Sequence, residues 1–217
     1  MNPQIWWYVT RASGIVAWLM LTASVVWGIV LSTKAFPNKR RPAWLLDLHR
    51  WLGGLTVTFV AFHIAALVAD SYVQFGARDI LVPYATSWKP GAIALGIVSM
   101  YLLAAVQATS MAMKKIPRKY WRIVHLSSYV VFWLTSLHAA FAGSDTTSPL
   151  YQATAVASIG AVAWAAMYRV SNRKSLRSAA RTRATLPPPD AAQVPARAGA
   201  GVAGAPLNGV GATASGS

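Results

Sequence analysis

The chain has 217 residues, 55% of them apolar and only 12% charged, with a positive mean hydropathy; a soluble domain carries roughly twice that charged fraction. It has no cysteine, which excludes disulfides, thiolate metal ligands, iron–sulfur clusters and covalently attached haem. The net charge of +15 is of the size seen in nucleic-acid binders, but the basic residues sit at the ends of apolar runs and in the tail, as topology determinants do, and no nucleic-acid partner is expected.

Taken in order, the apolar runs predict an all-α membrane bundle of five spans, each near the ~20 residues needed to cross a bilayer. Residues 1–11 form a short N-terminus in which Trp6, Trp7 and Tyr8 make an interfacial aromatic anchor. The first span runs from about Ala12 to Leu31 and the second from about Trp44 to Ala69. The third follows Pro90 and reaches Ser110, the fourth covers Tyr120 to Ala142, and the fifth Leu150 to Val170. The first run is too long for the apolar part of a signal peptide, and its basic cluster follows rather than precedes it. The membrane domain is thus expected over 12–170, with a basic, then Ala/Gly/Pro-rich tail over 171–217. Pro187-Pro188-Pro189 opens a stretch with few large apolar side chains, a composition expected to stay disordered.

Orientation follows from the Lys and Arg count. One side carries Lys34, Lys39, Arg40, Arg41 and Arg50, then Lys114, Lys115, Arg118, Lys119 and Arg122, then seven more from Arg169 onward. The other side has only Arg11, Arg78 and Lys89. The positive-inside rule predicts an outside N-terminus and a cytoplasmic C-terminus in a multi-pass protein of the inner (plasma) membrane. The basic tail would hold loosely to anionic lipid. Spans two and four then run parallel, both outward.

All four histidines of the chain lie in those two spans: His49 and His63 in the second, His125 and His138 in the fourth. Ionisable residues inside a membrane are costly and are functional by default. Fourteen residues separate His49 from His63, close to four helical turns, so both rings share a face about 21 Å apart. Thirteen separate His125 from His138, about 19.5 Å, and in an ideal helix this leaves the rings roughly 140° apart in direction. Local rewinding, tilt or ring rotation must make up that difference. Parallel spans set His49 level with His125 and His63 level with His138.

Two facing imidazoles at one level suit a haem, which brings four equatorial nitrogens and needs two axial ligands; bis-imidazole ligation makes an electron-transfer centre. Zinc wants three or four protein ligands, and the chain has no Glu to supply them. Two b-type haems are therefore expected. Gly53 and Gly54, a turn after His49, would let a porphyrin near the backbone or serve close helix packing. Phe132, seven residues after His125, falls between the two levels, as a bridging aromatic or as plain core. Arg50, Lys119 and Arg122 stand at the inner rim, placed to pair with propionates as well as to fix topology. Asp47 is expected to pair with a local Arg.

The segments LHRWLGGLTVTFVAFH (48–63) and YWRIVHLSSYVVFWLTSLH (120–138) resemble the ferric reductase-like transmembrane domain. That superfamily includes ferric reductases, NADPH oxidases and the haem-binding membrane subunit of the bacterial methionine sulfoxide reductase system. The resemblance spans about residues 12–170 and implies the same sharing, His49 with His125 and His63 with His138. The family core usually has six spans, so the one preceding the first here is expected to be missing. No Gly-rich dinucleotide fingerprint follows the last span, and the chain is similar to the short bacterial members that depend on a separate donor. The resemblance thus implies a transmembrane electron-transfer subunit, an oxidoreductase component in which no residue is itself catalytic. It would be fed by a cytoplasmic flavin reductase, with any flavin in that partner, or by quinol, and drained by an extracytoplasmic acceptor. A haem-bearing membrane anchor for a partner enzyme and a non-redox transporter using its histidines are the alternatives.

Overall fold

The computed structural model describes residues 4–33, 42–71 and 73–185, with side chains as far as 172. The cluster Lys34, Lys39, Arg40 and Arg41 and the tail beyond 185 lie outside the described residues. Backbone packing divides the chain into two units, Met1–Ser175 and Leu176–Ser217.

The first unit is an all-α bundle. Helix α1 covers Ile5–Ser32, α2 Ala43–Ala69, α3 Ala77–Leu81, α4 Pro90–Met111, α5 Arg118–Leu126 and α6 Ser128–Ala142; α7 begins at Pro149. Among the described residues five stretches are long and apolar enough to cross a membrane: α1, α2, α4, α5 with α6, and α7 as far as Asn172. The protein is therefore a multi-pass membrane protein bathed in lipid. Its outward faces fit that solvent, with Trp51, Phe62, Val68, Phe141, Leu150, Val156 and Trp164 all exposed.

Three boundaries differ from expectation, each for a local reason. Helix α1 starts at Ile5 rather than Ala12. Nothing from Ile5 to Arg11 breaks a helix, so the proposed N-terminal segment is mostly the first two turns of α1. Helix α7 runs to Thr185, well past Val170. The sequence from Ser171 to Thr185 has four Arg and three Ala, good helix formers, and has no Gly or Pro. Residues 176–185, in the second unit, are helical for that reason. Finally, the fourth span is not one straight rod but α5 and α6 joined at Ser127.

Packing follows two helix pairs. Helix α2 packs chiefly on α1, and α6 chiefly on α4, with α1 also touching α6. One core cluster joins Leu21, Val25 and Ile29 of α1 to Val131 and Phe132 of α6 and Val162 and Ala165 of α7. A second gathers Phe75, Ile80, Ile93 and Ile97. There α3 and its flanking turns are held against α4, a fold in the 70–89 connection that the sequence did not announce. Lys89, at a left-handed φ of 44° just before Pro90, sends its Nζ to the carbonyls of Phe141 and Ala142 at 3.0 and 3.4 Å. It thereby caps the end of α6, a role beyond topology.

Candidate functional site

The four histidines meet in two pairs. His49 and His125 have ring centroids 5.9 Å apart with planes at 76°. His63 and His138 are 6.4 Å apart at 87°. All four rings are half-buried. A metal–imidazole bond of about 2.0–2.1 Å, with about 1.1 Å more from nitrogen to ring centre, sets two rings sharing one metal about 6.2 Å apart. Both observed spacings bracket that value. No group of three or more metal-ligating side chains occurs among the described residues, so each pair suits a metal that arrives with its equatorial ligands.

How 13 residues do the work of 14 is visible at Ser127. The Ser127 N–H bonds to the Val124 carbonyl at 3.0 Å, an i−3 bond, and the regular helix resumes as Val131 N–H bonds to Ser127 O at 2.9 Å. A tighter turn rotates more per residue than an α-turn, which moves His138 in the direction the spacing requires. Helix α2, with its spacing of 14, is uninterrupted from Ala43 to Ala69.

Each ring is also held from behind. The Nδ1 of His63 lies 2.8 Å from the Thr10 carbonyl, and that of His138 lies 2.8 Å from the Ala92 carbonyl. His49 Nδ1 lies 3.4 Å from Ser24 Oγ and His125 Nδ1 lies 3.4 Å from Ser110 Oγ. A carbonyl can only accept, so Nδ1 of His63 and His138 carries the proton and Nε2 is left facing the partner ring; the Ser24 and Ser110 hydroxyls can accept from His49 and His125 in the same way. So α1 backs both rings of α2, and α4 backs those of α5 and α6.

Small residues make this close backing feasible. A Cβ on Gly14 would fall 3.0 Å from His63 Nδ1, one on Gly28 3.1 Å from His49 Cε1, and one on Gly96 2.8 Å from His138. Gly14 and Gly28 are 14 residues apart, the spacing of the His63 and His49 rings they back, and Gly96 and Ser110 are likewise 14 apart, one more than the 13 between His138 and His125. Gly14-Ile15-Val16-Ala17 and Gly96-Ile97-Val98-Ser99 also align in sequence. The two helix pairs thus repeat one plan. Gly53 and Gly54, singled out in sequence, do not seat a ring: a Cβ on Gly54 would meet nothing within 4 Å, and one on Gly53 only the Gln107 side chain at 3.6 Å. The useful signal was a pair of small residues 14 apart on each helix that backs the histidines, Gly14 with Gly28 and Gly96 with Ser110.

The His63/His138 pair opens on a cavity of about 210 Å³, also lined by Trp7, Arg11, Ile80, Trp88, Phe132's neighbour Leu103, and Asp145. At its rim Arg11 pairs with Asp145, its Nε 2.7 Å from one carboxylate oxygen. This ties α1 to the connection after α6. Trp7 turns inward, edge-on to Trp88 at 6.3 Å, while Trp6 and Tyr8 stay exposed.

Two buried polar atoms have no hydrogen-bond partner among the described residues and lie beside the pairs. Thr10 Oγ1 is at the His63 level, on the residue whose carbonyl holds that ring. Trp121 Nε1 is at the other, its indole stacked on His125 at 5.0 Å and 19°. Such orphans are rare, and each calls for a group that the chain alone does not supply.

The remaining sequence candidates fall as follows. Phe132 is 0% exposed, packed among aliphatic side chains of α1 and α7 and edge-on to Trp133. Arg50 is exposed and pairs with Asp47 at 3.1 Å. Lys119 and Arg122 are exposed, as are Lys114, Lys115 and Arg118.

Fold and site together define a helical membrane protein with two level-matched histidine pairs facing across its interior. Residues 13–136 match the family described as ferric reductase like transmembrane component, and the chain belongs to that family. Its transmembrane domain is of a kind that generally binds haem and serves electron transfer across a membrane. No curated protein matches the chain, and no solved structure does.

Proposed function

We propose that this protein carries electrons across a bacterial inner membrane through two b-type haems, one held by His49 and His125 and the other by His63 and His138. The observation that carries the reading is the pairing of all four rings at metal-sharing distance, each with Nδ1 turned to a neighbouring helix. The glycine seats and the orphaned polar atom at each level fit the same group, since Thr10 Oγ1 and Trp121 Nε1 can each donate to a haem carboxylate. Such a haem, held by one histidine from each helix, would supply a one-electron iron centre suited to transfer rather than to oxygen binding.

The chain's own part is to hold and insulate. The Nδ1 hydrogen bonds fix tautomer and ring direction. The aliphatic cluster around Phe132 fills the level between the pairs, and Phe132 is the aromatic there that would lie along the route. By charge, the His49/His125 pair is the cytoplasmic one, close to the exposed Lys114, Lys115, Arg118, Lys119 and Arg122. Arg50 and Arg122 are the residues at that rim that would neutralise propionates. The basic surface suits docking of an acidic donor such as a separate flavin reductase, because surface charge chiefly steers encounter; a quinol donor would reach the same pair from the lipid. The His63/His138 pair then serves an extracytoplasmic acceptor.

Single alanine variants test the pairing. His49→Ala and His125→Ala should delete the same component of the reduced visible spectrum, and His63→Ala and His138→Ala the other. If His49→Ala and His138→Ala proved spectrally alike, the pairing would be wrong.

A further inference from the structure

The two pairs differ in what their Nδ1 atoms meet. Behind His63 and His138 stand main-chain carbonyls, Thr10 and Ala92, at 2.8 Å. Behind His49 and His125 stand serine hydroxyls, Ser24 and Ser110, at 3.4 Å. The sequence explains the contrast. In a helix the side chain of residue i+4 covers the region near the carbonyl of residue i. Gly14 lies four residues after Thr10 and Gly96 four after Ala92, so both carbonyls are left uncovered for a ring. At the other end of α4 the corresponding small residue is Ser110, which carries its own acceptor, and on α1 Ser24 lies four residues before Gly28.

We propose that Ser24 and Ser110 are positioning residues that tune the His49/His125 centre separately from the His63/His138 centre, by setting how strongly their imidazoles bind iron. The inference rests on the reading that a haem is held by His49 and His125. An imidazole whose N–H donates to an acceptor gains anionic character and becomes a stronger ligand, which favours ferric iron and lowers the potential. A main-chain carbonyl is a fixed acceptor. A serine hydroxyl rotates, and it accepts the ring proton only when its own proton points elsewhere. The His63/His138 centre is therefore held at one setting by the fold, while the His49/His125 centre depends on two side chains that mutation can remove without adding volume.

The test is a redox titration of the purified full-length protein, following the reduced visible bands of both centres in the natural protein, Ser24→Ala, Ser110→Ala and the double variant. Loss of both acceptors should raise the ferrous-to-ferric ratio of the His49/His125 centre about tenfold at a fixed ambient potential, about 59 mV for a one-electron couple. Each single variant should give part of that shift, and the His63/His138 centre should not move. An unmoved His49/His125 centre, or equal shifts of both centres, would overturn the proposal. Should the double variant lose its haem, the two single variants decide the question in the same way. Failure of the underlying reading looks different: the natural protein would lack the band that His49→Ala removes, before any serine is changed.

Discussion

At the scale of single residues, the glycines behind the rings matter as much as the histidines. A Cβ added at Gly14 or Gly28 would fall 3.0–3.1 Å from a ring, which must then give by a few tenths of an ångström, and one added at Gly96 would fall 2.8 Å from His138, which must shift. Gly96→Ala has the tightest conflict and should displace His138, giving loss of one haem or a high-spin signal, whereas Gly54→Ala should leave the spectrum unchanged. Optical and electron-spin spectra of the two variants side by side check this. The histidines were legible in the sequence because an ionisable side chain in an apolar run stands out against a known cost. Their seats were not. Glycine is common in membrane helices, and Gly14 acquires meaning only when His63 of another helix is known to face it. Arg50 and Arg122 show the opposite limit: sequence put them at a rim, but the ion pair of Arg50 with Asp47 is a local contact that proximity alone produces.

At the scale of elements, the molecule is a helix pair used twice. Gly14 and Gly96 are 82 residues apart, as are Gly28 and Ser110, so α4 repeats α1 while α5 and α6 repeat α2. Sequence showed only the echo between the two histidine spans, because the backing helices share small residues rather than conspicuous ones. It showed the break at Ser127 indirectly, as a thirteen-residue spacing that an ideal helix could not satisfy. It missed α3, whose five residues are too few to declare a period. Lys89 was legible as a charge but not as a cap, since its partners at Phe141 and Ala142 are far along the chain. Lys89→Met should loosen the last turn of α6 at a cost of about 0.5–1 kcal/mol. Denaturant titration should show the His63/His138 haem leaving earlier than in the natural protein, with the other haem little affected.

At the scale of the whole molecule, the one-sided distribution of basic residues carries the proposed orientation, in which the His49/His125 level faces the cytoplasm. Charge reversal at Lys114 and Lys115 should slow reduction by a cytoplasmic flavin reductase more than reduction by dithionite. The difference should shrink at high salt, where surface charges are screened; equal slowing by both reductants would argue against docking on that face. The span count and class were legible from composition alone, because a bilayer demands long apolar runs. Residues beyond 185 bear few large apolar side chains, and a chain truncated after Thr185 should insert and retain its haem. The central claim, however, is that each facing pair of histidines holds one haem through both rings. Quantifying haem against protein in the purified chain, with the spin state read from the same sample, tests it most directly. The account predicts two b-type haems per chain, both six-coordinate and low-spin; one haem per chain, or a high-spin majority, would contradict it.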